Sequence, residues 1–116
     1  MTKQFAKWAK KQKIQTEDLA NALEEFKKGG YEANLGAYLY KKRIRFQGKG
    51  KSGSGRSIIV YKKGDRAIFI HGFAKNEKAN ISKKELLLLK EFARVLLSLS
   101  HDKIDIALQN GDLKEV

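Results

Sequence analysis

Arg43, Arg45, Lys49, Lys51, Arg56 and Lys75 are the residues whose type and spacing are best suited to chemistry. All six fall in one segment. Residues 36–78 hold twelve basic residues against two acidic ones, Asp65 and Glu77, which is +10 of the formal +12. Ammonium and guanidinium groups make charge-assisted hydrogen bonds to phosphate oxygens, and arginine does so in a paired geometry that phosphate matches. The remaining charge is arranged differently. Residues 1–15 add five lysines and no acid, residues 16–35 carry five acids against two lysines, and residues 79–116 balance six against six. A basic surface that served solubility alone would be spread more evenly. Concentration on one segment, most of which has strand character, points to a polyanionic partner, most simply nucleic acid.

The rest of the composition narrows the classes. A chain of 116 residues fits one domain, residues 1–116, with a single core. An apolar fraction of 41% agrees with a folded globule. No cysteine is present, so disulfides and thiolate metal sites are excluded. The two histidines, His71 and His101, are far apart in sequence. Asp65 is expected in a turn and Glu77 stands alone, so the basic segment has no carboxylate cluster for a pair of catalytic metal ions. The N-terminus is lysine-rich but lacks the apolar core of a signal peptide, and the longest aliphatic run, residues 86–89, is too short to span a bilayer. These features suit a cytoplasmic protein that does not enter a membrane. Gly50-Lys51-Ser52 has the ending of a phosphate-binding P-loop, but Arg45 stands where its first glycine is required.

These residues need a scaffold. Phe5, Trp8 and Ala9 fall at i, i+3 and i+4 and predict one stripe of a first helix, with Trp8 packed on the core rather than stacking on a base. A second helix is expected from Thr16, read as its N-cap, with Glu17 and Asp18 in the first turn and Leu19, Ala22, Leu23 and Phe26 inward, stopped by Gly29-Gly30. The two form a helical hairpin. Residues 38–47 alternate as a strand: Tyr40, Lys42, Ile44 and Phe46 on one face, Lys41, Arg43, Arg45 and Gln47 on the other. A basic Gly/Ser loop follows, then a strand over 56–62, a two-residue Gly64-Asp65 turn and a returning strand over 66–73.

That turn implies a register in which paired residue numbers sum to 129. Val60 then faces Phe69, Ile58 faces His71, and Arg56 faces Phe73, with Lys75 one pair further. Arg56, His71, Phe73 and Lys75 share a face, and Ile59, Tyr61, Ile68 and Ile70 share the other. Both faces are apolar at mid-strand, so helices are expected on both. Ser82 and Glu85 form a capping box for a helix with Leu86, Leu89, Ala93 and Leu96 inward. A last helix over 100–110 turns Ile104, Ala107 and Leu108 inward and stops at Gly111. Residues 112–116 suit either a terminal strand or a loose tail. The fold class is α+β: an N-terminal helical hairpin on a small twisted antiparallel sheet, followed by C-terminal helices.

Three stretches carry a resemblance: Gly48-Lys-Gly-Lys-Ser-Gly-Ser-Gly-Arg56, Lys63-Gly-Asp-Arg-Ala-Ile-Phe-Ile-His-Gly-Phe-Ala-Lys-Asn-Glu77 and Ala79-Asn-Ile-Ser-Lys-Lys-Glu85. Together they resemble the RelE/ParE superfamily of bacterial toxins, in its HigB-like branch, over nearly the whole chain. The resemblance implies a RelE-like fold and the toxin of a type II toxin–antitoxin system. It implies an mRNA endonuclease acting on messages in the ribosome, neutralised by a co-expressed antitoxin of helix-turn-helix type. It implies no metal and no cofactor, since the RNA's own 2′-hydroxyl is the nucleophile.

The resemblance places Arg56 as the arginine opening the central strand, Lys75 as the basic residue ending the last one, and Lys49 and Lys51 as the lysines upstream. Arg56 then stabilises charge on the phosphorane, Lys75 does the same or protonates the leaving oxygen, and Arg43, Arg45, Lys49 and Lys51 hold flanking RNA. The chain departs from the pattern at two places. Residues 1–5 show little of an opening strand, and no tyrosine follows Tyr61. His71 is the nearest acid–base candidate, although its mid-strand place opposite Ile58 equally suits a half-buried, satisfied histidine. Two other readings remain: a non-catalytic ParE-like gyrase poison, and an RNA- or ribosome-binding module, which requires aromatic side chains exposed on the sheet.

Overall fold

The computed structural model describes residues 1–45, 54–64, 66–74 and 80–116. The chain begins with α1 (Lys3–Lys11) and α2 (Thr16–Lys27). The Thr2 hydroxyl caps α1 by accepting from the Phe5 N–H at 3.2 Å, and Phe5 and Ala9 are buried on the predicted stripe. The cap of α2 lies one residue earlier than expected. Gln15, not Thr16, is the N-cap, because the Asp18 carboxylate reaches back and accepts from the Gln15 N–H at 2.8 Å. Leu19, Ala22 and Phe26 face inward as the periodicity requires, and Gly29 (φ +88°) follows the helix end.

Four strands form one antiparallel sheet in chain order: β1 (Ala33–Gly36), β2 (Leu39–Arg45), β3 (Ser54–Val60) and β4 (Ile68–Ala74). β1 has no counterpart in the sequence reading. Its short turn into β2 is made by Ala37 (φ +52°) and Tyr38 (φ +66°), conformations that the sequence does not signal with Asn-Gly or Asp-Gly. Tyr38 therefore belongs to the turn, and β2 starts at Leu39. The expected face alternation holds along β2, with Ile44 buried beneath the N-terminal helices.

The predicted β3–β4 register is half correct. Arg56 pairs with Phe73, Ser57 with Gly72 and Ile58 with His71, as expected. Nearer the turn Ile59 pairs with Phe69 and Val60 with Ile68, so the sum falls by one. Ile70 is the extra residue of a β-bulge, and a bulge reverses the facing of everything beyond it. Phe69 thus packs with Ile59 under the N-terminal helices, while Ile68 and Ile70 join Ile58, Val60 and Phe73 on the opposite face. β3 ends at Val60 and β4 begins at Ile68, and Asp65 of the expected Gly64-Asp65 turn lies outside the described residues.

Each sheet face carries a core. On one side Phe5, Ala9, Leu19 and Phe26 of α1 and α2 meet Ile44, Ile59 and Phe69, with Phe5 stacked on Phe69 at 4.8 Å between ring centres. On the other, Ala93 and Leu96 of α3 (Lys83–Ser98) close over Leu39, Ile58, Val60, Ile70 and Phe73. The Ser82–Glu85 capping box forms in both directions at 3.1 Å. α4 (His101–Asn110) buries Ile104 and ends at Gly111 (φ +81°). The C-terminus is docked: Leu113 is buried and bridges Thr2, and the Lys114 N–H donates to the Met1 carbonyl at 2.8 Å. The contact is a single bridge, and it ties both chain ends to the start of α1.

Trp8 is half-buried, packs against the first core and is set over Gly55 and Gly72. A Cβ at Gly72 would stand 2.3 Å from the Trp8 ring, and one at Gly55 3.1 Å. Gly72→Ala is expected to lose about 2 kcal/mol of unfolding free energy by urea titration. The loss should shrink in a Trp8→Leu background, and an equal loss in both backgrounds would separate Gly72 from Trp8.

Lys42 is buried, and its ammonium donates to Glu25 at 2.7 Å. That hydrogen bond, and the charge behind it, hold the Glu25 carboxyl below its ordinary 4.5. A carboxyl held down in the folded state contributes stability in full above its unfolded value. The contribution is lost as pH falls through the lower folded value. Removing only the carboxylate strands the buried ammonium. Glu25→Gln should therefore destabilise by about 1–3 kcal/mol, and by more than Lys42→Met. Equal chemical-denaturation midpoints for the two variants would contradict this.

Candidate nucleic-acid interface

Arg56 enters the sheet face covered by α3 because it lies two residues before Ile58, which packs there. Its neighbour across β3–β4 is Phe73 and across β2–β3 is Arg43. Two arginines thus sit side by side in one register pair, about 4.5–5.5 Å apart at Cβ. Like charges directly opposite repel, and the repulsion is relieved by Glu32, the residue just before β1. The Glu32 Oε1 lies 2.5 Å from the Arg56 Nε. Glu32 reaches Arg56 across β2, which lies between β1 and β3.

The result is an arginine held by one edge. The Arg56 side chain is only 11% exposed, against 37% for Glu32. Its Nε is engaged, while its Nη1 is buried and has no hydrogen-bond partner among the described residues. A buried donor without a partner is costly unless something else supplies an acceptor. Arg43, beside it, is exposed.

His71 lies diagonally across from Arg56, opposite Ile58. Its side chain is 30% exposed, and the Nε2 stands 3.8 Å from Glu85 Oε2 at the start of α3. The same glutamate closes the capping box, so the helix cap and the histidine share one carboxylate. The His71 and Phe73 ring centres are 6.2 Å apart. Arg56 and His71 therefore share a face as the register predicted, with Phe73 directly across from Arg56 and beside His71.

Arg45 lies elsewhere. It lines a groove of about 450 Å³ with Asp18, Asn21, Glu24, Glu25 and Lys28 of the α2 region, where it adds to the positive field on Glu25. Lys49, Lys51 and Lys75 lie outside the described residues. Phe69 and Phe73 are buried, so neither offers an exposed stacking surface. His101 is exposed at the first position of α4. Among the described residues no His, Asp and Glu side chains gather into a group able to hold a metal ion, and no helix is long and apolar enough to cross a membrane.

Sequence reasoning missed Glu32 and Glu85 as neighbours of the site. Glu85 was legible as a cap residue, but its second contact needed the packing of α3 on β4. Glu32 carried no signal of its own, because β1 was not recognised and nothing placed that acid near Arg56.

A family model described as the RelE toxin of the RelE/RelB toxin-antitoxin system matches residues 1–116. No curated protein and no solved structure matches the chain.

Proposed function

Because the chain belongs to the RelE toxin family, and so has an antitoxin as partner, we propose that it is a metal-independent endoribonuclease that cleaves mRNA on the ribosome, within the HigB-like branch. The observation that carries this reading is Arg56. It is a guanidinium fixed through Nε by Glu32, with a buried Nη1 that has no acceptor among the described residues, beside an exposed Arg43 in a basic segment. Such a group is pre-oriented for phosphate oxygens and needs little reorganisation as negative charge builds on phosphorus.

In the proposed reaction the 2′-hydroxyl of the RNA attacks the adjacent phosphorus. The P–O5′ bond breaks, and the products carry a 2′,3′-cyclic phosphate and a 5′-hydroxyl. Arg56 stabilises the phosphorane. Lys75 shares that charge or delivers the proton to O5′. His71, with Glu85 within ion-pair reach, is the candidate for moving the 2′-proton. Arg43, Lys49 and Lys51 hold the flanking phosphates, whereas Arg45, set among Asp18, Glu24 and Glu25, lies away from them. The antitoxin is proposed to be of helix-turn-helix type, and the working compartment the cytoplasm.

Primer extension on cellular mRNA after brief induction tests the reading. New 5′ ends inside coding regions are expected. Growth arrest with intact messages and inhibited gyrase would replace it with the gyrase-poison reading. Arrest with neither would replace it with an RNA- or ribosome-binding module.

A further inference from the structure

α3 is apolar on two sides. Its inner side closes the second core through Ala93 and Leu96. Its outer side carries Leu88, Phe92 and Val95 at i, i+4 and i+7, exposed by 64%, 41% and 45%. A helix that is apolar on both sides is normally covered on both. Next to this stripe runs a groove of about 560 Å³ between α3 and the β1–β2 turn. Leu87, 68% exposed, and Tyr38, 48% exposed, supply its apolar lining. Tyr38 is presented there by its left-handed backbone (φ +66°), and the Lys62 ammonium lies 5.6 Å from its ring centre. Among the described residues, Lys62, Lys90 and Arg94 rim the groove against one acid, Glu91, which is itself paired with Arg94.

We propose that this face of α3 and its groove form a docking surface for an acidic amphipathic helix of the cognate antitoxin. The helix lays apolar side chains on Leu88, Phe92 and Val95 and sets carboxylates over Lys62, Lys90 and Arg94. The geometry is the helix-in-groove mode of recognition, read through i, i+4 and i+7 anchors. Charge selects the occupant. A second copy of this chain would bring a net +12 against a cationic rim, whereas an acidic segment gains both attraction and steering. The surface lies on the outer side of α3, away from the sheet face that holds Arg56. The inference rests on the family's antitoxin partner and not on the nuclease reading.

The test uses the full chain and, as probe, the protein encoded by the adjacent reading frame, with binding followed by calorimetry. Phe92→Glu and the double variant Lys90→Glu/Arg94→Glu are each expected to raise Kd at least about 30-fold, the scale of a lost hot spot. Both should abolish rescue of growth while leaving toxicity and circular dichroism unchanged. Leu88→Glu, at the most exposed position of the stripe, repeats the test should Phe92→Glu disturb α3. Wild-type affinity in these variants overturns the proposal, as does a wild-type chain that fails to bind the probe. So does self-association of the wild type that Phe92→Glu dissolves, or uptake onto anionic phosphatidylserine vesicles that Phe92→Glu abolishes without changing probe binding. Calorimetry needs no RNA cleavage, so failure of the nuclease reading leaves the result interpretable.

Discussion

Arg56→Ala is expected to abolish growth arrest while the protein still expresses and gives an unchanged circular dichroism spectrum. The loss should be about 3–4 kcal/mol of barrier, or roughly 10²–10³ in the cleavage rate, as for removal of one transition-state charge stabiliser. The Glu32–Arg56 geometry sharpens the expectation. Arginine can give Nε to Glu32 and still present its η nitrogens, whereas lysine has one donor centre for both tasks. Arg56→Lys should therefore fall with Arg56→Ala rather than rescue it. The fold should survive, because Glu32 is the more exposed partner and is not left as a buried unpaired charge. Glu32→Gln should weaken cleavage less, since it loosens the guanidinium's orientation without removing its charge. Lys75→Ala is expected to match Arg56→Ala. Full toxicity of the Arg56/Lys75 double variant, at normal expression and with native circular dichroism, would remove this site from the account.

The residues of the candidate site differ in how far the sequence reveals them. Arg56 and His71 share a face because side chains alternate along strands, and alternation can be read directly. The register that places them held from Ile58 outward because no bulge intervenes there. It failed nearer the turn because Ile70 is an inserted residue, and nothing in an apolar Ile-Phe-Ile run marks which residue will be left unpaired. Phe69 changed faces for that reason alone. Strong local signals fared best: the Ser82–Glu85 box, the Gly111 stop and the Phe5–Ala9 stripe are each set by residues within one or two turns. Contacts between segments distant in the chain were illegible. Glu32 meets Arg56 across an intervening strand, Lys42 is buried by Glu25 from another element, and Gly72 exists beneath Trp8. Lys42 shows the limit most clearly. Alternation sets it on the same face as Tyr40 and Ile44, but nothing in the sequence names Glu25 as the partner that lets a lysine be buried there.

The central claim is that the RNA supplies its own nucleophile. A single 2′-deoxy substitution at the mapped cleavage position removes that nucleophile and changes little else in the substrate. Cleavage of the all-ribo RNA by the wild-type chain, on ribosomes where the free protein is inactive, should continue in EDTA as long as the ribosomes stay intact. It should leave a 2′,3′-cyclic phosphate or its 3′-phosphate product. The account predicts no cleavage of the 2′-deoxy substrate at that position. Normal cutting of that substrate, or cutting of the all-ribo RNA that EDTA stops while the ribosomes remain intact, would contradict it.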